Sequence, residues 1–276
     1  MLPDIRLAEK ARRLRELHHG REVLVLPNAW DCASARIFEL EGFPAIATTS
    51  GGIAFSLGVP DGQRLSRGQM LAVVKRIAST VRVPVTADLE AGYDDAAETA
   101  AGLLEAGAVG LNLEDFAGGE LIELSLQVER IRTIRATGER AGVPIVINAR
   151  TDLYLENLGD PESRFELACQ RLAAYRDAGA DCLFLPGIRE ESLIRRFVEA
   201  LRFPINILAI QGTPPLRRLE ELGVARVSVG SGIARATLGL TRRIAAEIRA
   251  EGIYESMLEG AIPYAELNRM LARDDS

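Results

Sequence analysis

The chain has 276 residues, 47% of them hydrophobic, with a formal charge of −6 and a pI near 5.3, which suits one large core and leaves no basic footprint for nucleic acid. No apolar run reaches the roughly 18–20 residues of a membrane span, and the charged start has no signal-peptide core. Cys32, Cys169 and Cys182 make no CxxC pair and no even framework, so reduced thiols in a cytoplasm are expected.

Met1 to Arg15 reads as a charged helix. Glu22 to Pro27 reads as a first strand, and Asp31 to Glu41 as a helix closed by Gly42. Ala45 to Thr49 is a second strand that runs into Ser50-Gly51-Gly52, and Arg67 to Val81 a further helix. Val83 to Asp88 is the third strand, with Pro84 near its start, where a missing N–H is tolerated. It leads to two carboxylates, Asp88 and Glu90. In an extended chain, side chains two apart point the same way, so these two are expected to converge at the strand's C-terminal mouth. Two acids aimed together repel unless a proton or a cation lies between them. A divalent metal there is the working expectation; a solvated pair capping a helix is the plain alternative.

From this point one phrase recurs: a helix end, a glycine, then a short apolar strand. It appears at Gly107, Gly142, Gly179 and Gly223. The strands Val109 to Leu113, Pro144 to Ala149, Cys182 to Leu185, Pro204 to Leu208 and Arg226 to Val229 bring the total to eight. Near-continuous apolar strands separated by helical crossovers predict a parallel sheet buried on both faces, closed into a (β/α)8 TIM barrel. No Gly-rich dinucleotide fingerprint follows the first strand, which argues against an open doubly wound sheet. Residues 1–276 are expected to form a single barrel domain, with 250–276 as a C-terminal helical extension.

Lysine and histidine are scarce: Lys10, Lys75, His18 and His19 all lie away from predicted strand ends, and the histidines read as surface. A Schiff-base lysine or a histidine base therefore has almost nowhere to come from. The strand ends instead collect Ser50-Gly51-Gly52, Asp61, Asp88, Glu90, Glu114, Asp115 and Asn148 to Asp152, so one arginine, Arg150, faces several acids. Arg150 reads either as an anion-binding group or as a structural ion pair. Tyr93 is either a proton donor or a packing residue, and Trp30 either walls a pocket or packs. Gly230-Ser231-Gly232 reads as an anion-binding helix start or a cap.

Six segments in order, Pro27 to Asp31, Thr49 to Gly52, Leu57 to Asp61, Ala87 to Tyr93, Leu113 to Asp115 and Asn148 to Asp152, resemble the isocitrate lyase/phosphoenolpyruvate mutase superfamily over nearly the whole chain. The resemblance implies a (β/α)8 barrel, Mg2+ (or Mn2+) as cofactor, and enolate chemistry on a small 2-oxo acid or related carboxylate. It also implies a homodimer or homotetramer with an additional C-terminal helix exchanged between subunits. Asp88 would be the direct metal ligand, and Asp61, Glu90 and Glu114 would hold metal-bound waters. Ser50, Gly51, Gly52 and Arg150 would bind the substrate, together with Trp30 and Asp88, and Arg150, Tyr93 and Glu114 are the catalytic candidates.

The chain departs from the family at informative places. Glu90 stands where aspartate is more usual. The loop Glu114 to Leu121 lacks the Lys-x-Cys-Gly-His of the lyases, and the mutase's lysine- and asparagine-bearing loop is missing too. Pro186 stands where the mutase has a histidine. The expected function is C–C bond cleavage by a lyase or decarboxylase. The alternatives are P–C bond chemistry on phosphonopyruvate and a non-catalytic 2-oxo acid binding protein.

Overall fold

A computed structural model describes residues 5–272. The first and last four positions of the predicted N-terminal helix and C-terminal extension lie outside the described residues. In chain order the first elements are α1 (Ile5–Leu17), β1 (Leu24–Leu26), β2 (Asn28–Ala29), α2 (Cys32–Leu40), β3 (Ile46–Thr48), α3 (Ser50–Ser56), α4 (Arg67–Thr80), β4 (Val85–Asp88) and α5 (Ala96–Glu105). Next come β5 (Gly110–Glu114), a small hairpin of β6 (Phe116–Ala117) and β7 (Glu120–Leu121), α6 (Leu124–Arg140), β8 (Val146–Arg150) and α7 (Arg164–Asp177). The chain continues with β9 (Cys182–Leu185), α8 (Glu191–Leu201), β10 (Ile205–Leu208), α9 (Leu216–Glu221), β11 (Arg226–Ser228), α10 (Gly232–Glu251), α11 (Glu255–Leu258) and α12 (Tyr264–Leu271).

The main sheet runs β1-β11-β10-β9-β8-β5-β4-β3-β2, all parallel. Its two ends are one strand. β1 pairs with β11 (Leu24↔Arg226) and β2 with β3 (Asn28↔Ala47), so the sheet closes at Pro27 into the expected eight-stranded (β/α)8 barrel. Pro27 has no N–H, and it sits where the strand changes partner; its carbonyl still accepts from Ala47 N at 2.9 Å. The recurring glycines end helices in the left-handed region, as at Gly107 (φ +83°) and Gly179 (φ +109°), where a side chain would be strained.

Two apolar layers hold the barrel. Outward-facing strand residues such as Ile46, Val85, Leu111, Ile147, Leu183 and Ile207 pack under the helices. Inside, Leu24, Leu26, Ala45, Ala47 and Val146 form a plug that Ala8, Ala11 and Leu14 of α1 seal from below. Gly110 makes room for that seal: a Cβ there would lie 2.8 Å from Leu14 Cδ2. Removing a side chain such as Leu14 from a packed interior costs about 2–5 kcal/mol.

His18, expected on the surface, is buried at the end of this seal. Its Nδ1–H donates to Leu14 O at 2.8 Å. Burial, helped by the charge of Arg226, pushes the imidazole down to about 3, so it is neutral. The bottom of the barrel is thus closed, and the site is left to the opposite end. Past the barrel, α10 buries only Ala234, and α10 to α12 expose Leu238, Leu240, Ile248, Met257, Leu258 and Tyr264. Arg36 Nε ties α2 to α12 through Met270 O at 3.0 Å. Among the described residues no helix is long and apolar enough to cross a membrane.

Candidate active site

Asp88 ends β4 at the barrel mouth, almost fully buried. Its Oδ2 accepts from Ser50 Oγ at 2.8 Å and Ser50 N at 3.1 Å, and its Oδ1 from Asn112 Nδ2 at 3.3 Å. Ser50-Gly51-Gly52, which follows the second predicted strand, is the first turn of α3, with Thr49 as its N-cap. The serine's donors therefore go to Asp88. Glycine at 51 lets Asp61 approach, because a Cβ there would lie 2.6 Å from Asp61 Oδ2. Gly52 leaves space for Trp30, whose Cβ would be 3.0 Å from an added Cβ. Trp30 is half-buried behind this helix start.

The route by which Glu90 approaches Asp88 differs from the sequence expectation. β4 stops at Asp88, and the chain enters a turn in which Glu90 (φ +53°), Gly92 (φ +85°) and Tyr93 (φ +58°) are all left-handed. Such conformations cost non-glycine residues about 1–3 kcal/mol each and gather at functional sites. Strand alternation thus does not aim the two carboxylates; the strained turn does. Gln63 N donates to Glu90 Oε1 at 2.7 Å, and Gly62 N to Asp61 Oδ1 at 2.9 Å, so the loop before α4 reaches the same acids. Glu90 Oε2 and the Tyr93 hydroxyl are buried without a hydrogen bond of standard geometry.

The crowding shows in the acidities. Burial, aided by the charges of Asp88 and Asp61, pushes Glu90 up to about 7 against the opposing Gln63 N–H. Burial and Asp88 also raise Asp61. Tyr93 is held far above its ordinary value by burial and by Glu90, so its phenol keeps its proton.

Glu114 and Arg150 are register partners on β5 and β8. Arg150 Nη1 lies 2.8 Å from Glu114 Oε2, and its Nε donates to Asp152 Oδ1 at 2.7 Å. Burial raises Glu114 well above the carboxylate range, with Asp152, Asp88 and Glu90 adding to it, although Arg150 opposes. Arg150 is buried, but the two carboxylates outweigh that burial and keep it charged. Arg150 is thus an ion-paired residue that also lines the cavity described next.

A cavity of about 340 Å³ opens at the barrel mouth. One wall carries Ser50, Gly51, Asp61, Asp88 and Arg150; the other carries Phe184, Pro186, Leu208, Ile210, Ser231 and Arg235. Asn28, Asn112 and Ser228 also line it. Tyr93 faces a neighbouring groove with Gln63, Arg64 and Asp94, and Glu114 faces one with Phe116 to Gly119. Among the described residues no three Asp, Glu, His or Cys side chains are placed to hold one metal ion together. The donor set is all oxygen, and the buried Glu90 Oε2 has no hydrogen bond of standard geometry, although the Tyr93 hydroxyl lies close enough to Glu90 to affect its acidity. That donor set fits a hard cation with one direct aspartate and several waters better than a cage of direct ligands.

Sequence reasoning missed a polar layer inside the barrel. Arg226, fully buried, donates Nε to Ser228 Oγ at 3.2 Å and Nη2 to Asn112 Oδ1 at 3.3 Å. Asn148 Nδ2 donates to the same Asn112 oxygen at 2.8 Å. A signal existed: Asn112 and Asn148 each lie two residues before Glu114 and Arg150, and so share their face. Cys182 is buried within β9, and burial pushes its thiol up to about 12, which leaves it inert.

This fold and mouth define a class of (β/α)8 enzymes. The family model for phosphoenolpyruvate phosphomutase matches residues 14–249, and the chain belongs to that family, within the phosphoenolpyruvate mutase/isocitrate lyase superfamily of lyases and mutases. It is 30% identical over 256 residues to 2-methylisocitrate lyase of Salmonella typhimurium, covering 86% of this chain and 83% of that one. A crystal structure from Burkholderia cenocepacia superimposes with a TM-score of 0.91 at 37% identity, covering 98% of each chain. Oxaloacetate acetylhydrolase, solved with its product oxalate, superimposes at 0.84 with 26% identity over 96% of this chain and 94% of that one.

Proposed function

We propose that this protein is a divalent-cation-dependent enzyme that cleaves a C–C bond in a small 2-oxo or 2-hydroxy carboxylate, as a lyase or decarboxylase. The observation that carries the reading is the cavity wall on which Asp61, Asp88, Ser50 and Arg150 stand together. Mg2+, or Mn2+, suits the donors: Asp88 directly, and Asp61, Glu90 and Glu114 through waters. When bound, the cation would supply Lewis-acid stabilisation of the negative charge that develops beside a 2-oxo group. Arg150, gripped by Glu114 and Asp152, orients the substrate carboxylate through its remaining N–H groups. Ser50 and Asn112 hold Asp88 in one orientation. Glu114, whose burial favours the protonated form while the ion pair with Arg150 opposes it, is one candidate to carry a proton. Tyr93, whose phenol keeps its proton, is the other candidate; like Glu114 it stands beside the cavity lining rather than in it.

The far wall narrows the substrate. Arg235 makes no ion pair among the described residues, and beside it stand Ser231 and the apolar Leu208 and Ile210. That supports a second carboxylate at one end of a short carbon chain. Turnover of oxaloacetate and a panel of 2-alkylmalates, with and without Mg2+, tests the proposal. Binding of metal and acids without turnover of any would leave a non-catalytic 2-oxo acid binding protein. The family match favours one second reading, P–C chemistry on phosphonopyruvate, which phosphate release would reveal. The exposed apolar residues of α10 to α12 support assembly as a homodimer or homotetramer, which light scattering checks. Three unpaired cysteines are in keeping with a reducing cytoplasm.

A further inference from the structure

The turns that follow β5 and β8 are joined by one side chain. Asp115 is fully buried; its Oδ1 accepts from Asp152 N at 3.0 Å, and its Oδ2 from Arg171 Nε and Tyr175 Oη at 2.7 Å each. Arg171 and Tyr175 are four apart on α7 and so share a helix face. Arg171 also donates Nη2 to Ile122 O at 2.6 Å, while Ile122 N donates to Asp115 O at 2.7 Å. These last two bonds close the root of the β6–β7 hairpin. On the other side, Asp152, whose backbone N–H Asp115 holds, grips Arg150 Nε at 2.7 Å.

Neither Asp115, Arg171 nor Tyr175 lines the cavity. A buried ion pair is weak evidence for stability, because desolvation offsets most of the Coulomb gain. Its evident effect here is positional: charge-assisted bonds are short and directional, and three of them converge on the carboxylate that places Asp152.

We propose that Asp115, Arg171 and Tyr175 are positioning residues that set the guanidinium of Arg150 and tie it to the seating of the hairpin Phe116 to Leu121. The inference rests on the reading that Arg150 contacts a substrate carboxylate. A misplacement of about 1 Å at such a group can cost roughly 10²-fold, so the effect is measurable.

The test uses Tyr175→Phe, Arg171→Lys and Arg171→Met in the full chain. Oxalate affinity in the presence of Mg2+ and the affinity for Mg2+ alone are measured by calorimetry. Water exchange of the Arg150 Nε–H and of amides 116–122 is followed by NMR in the ligand-free protein. Arg171→Met is expected to weaken oxalate binding by about 10- to 100-fold and Tyr175→Phe by about threefold to tenfold, with Mg2+ affinity unchanged within about twofold. Arg171→Lys recovers part of the loss, and Arg150 Nε–H exchange quickens in the same order. Unchanged oxalate affinity in folded Arg171→Met, or equal losses for oxalate and Mg2+, overturns the proposal. If Arg171→Met does not fold, Tyr175→Phe decides by the same criteria. Wild-type protein that does not bind oxalate, yet shows the graded Arg150 exchange, would retain the positioning unit and refute the substrate role of Arg150.

Discussion

The two walls of the barrel mouth are built on opposite plans. The wall from β4, β5 and β8 is dense in charge, and almost every charged group there is already spoken for: Asp88 by Ser50 and Asn112, Arg150 by Glu114 and Asp152. The wall from β9, β10 and α10 is mostly apolar and carries one cation, Arg235, free of ion pairs among the described residues. Preorganised groups that need no rearrangement suit the reacting end of a substrate. An apolar surface with one open charge suits recognition of the rest of it. On the proposed function, the difference would separate catalysis from selection within a single cavity.

Substitutions on the two walls should therefore differ in kind as well as size. The largest effect is expected for Asp88→Asn, which keeps the shape and removes the charge: kcat should fall by about 10²–10³ and cation binding should weaken in calorimetry. Activity within tenfold of wild type would break the assignment. Arg150→Lys loses the planar fork that meets two carboxylates at once. Its KM should rise by about 10²-fold, corresponding to one charged hydrogen bond of roughly 1.5–3 kcal/mol.

On the selecting wall, Arg235→Gln should raise KM for a dicarboxylate by about tenfold and leave kcat within a few-fold, since an exposed charge contributes less. A monocarboxylate of the same length should show no change. If both substrates respond alike, the far wall does not select by charge.

The smallest effect concerns pH. Glu90 is raised from 4.5 to about 7 by burial first and then by Asp88 and Asp61. A buried acid of this kind keeps its proton where the unfolded chain has lost its own. Its contribution to stability is full below about 4.5 and is lost as pH rises through about 7. The metal-free protein should thus show a falling Tm between about pH 5 and 8, and Mg2+ should restore more of it at the upper end. A Tm that climbs across that window would contradict the crowded-acid picture.

Much of this was legible from local pattern. The glycine that ends each helix and the apolar strand after it are short-range features, so the eight units and their closure could be read in order. Asp61, Asp88, Ser50 and Arg150 were all picked out as residues near strand ends, and the fold brings them to one cavity. Trp30, Tyr93, Glu90 and Glu114 were picked out too, but they stand behind or beside its lining, because a residue's place in sequence does not say which way a turn sends its side chain. His18 was misread because an adjacent pair of histidines looks solvated until α1 is known to plug the barrel.

What the sequence by itself determined is the alternation of strand and helix, and with it the end of the barrel at which acids collect. Period and capping act over a few residues, and no distant partner is needed to read them. Only the tertiary structure decided how the site is held: the left-handed turn at Glu90, the reach of Arg226 from β11 to Asn112 on β5, and the grip of α7 on Asp115. Each depends on a buried polar group finding its partner across the fold, where an unpaired charge would be costly.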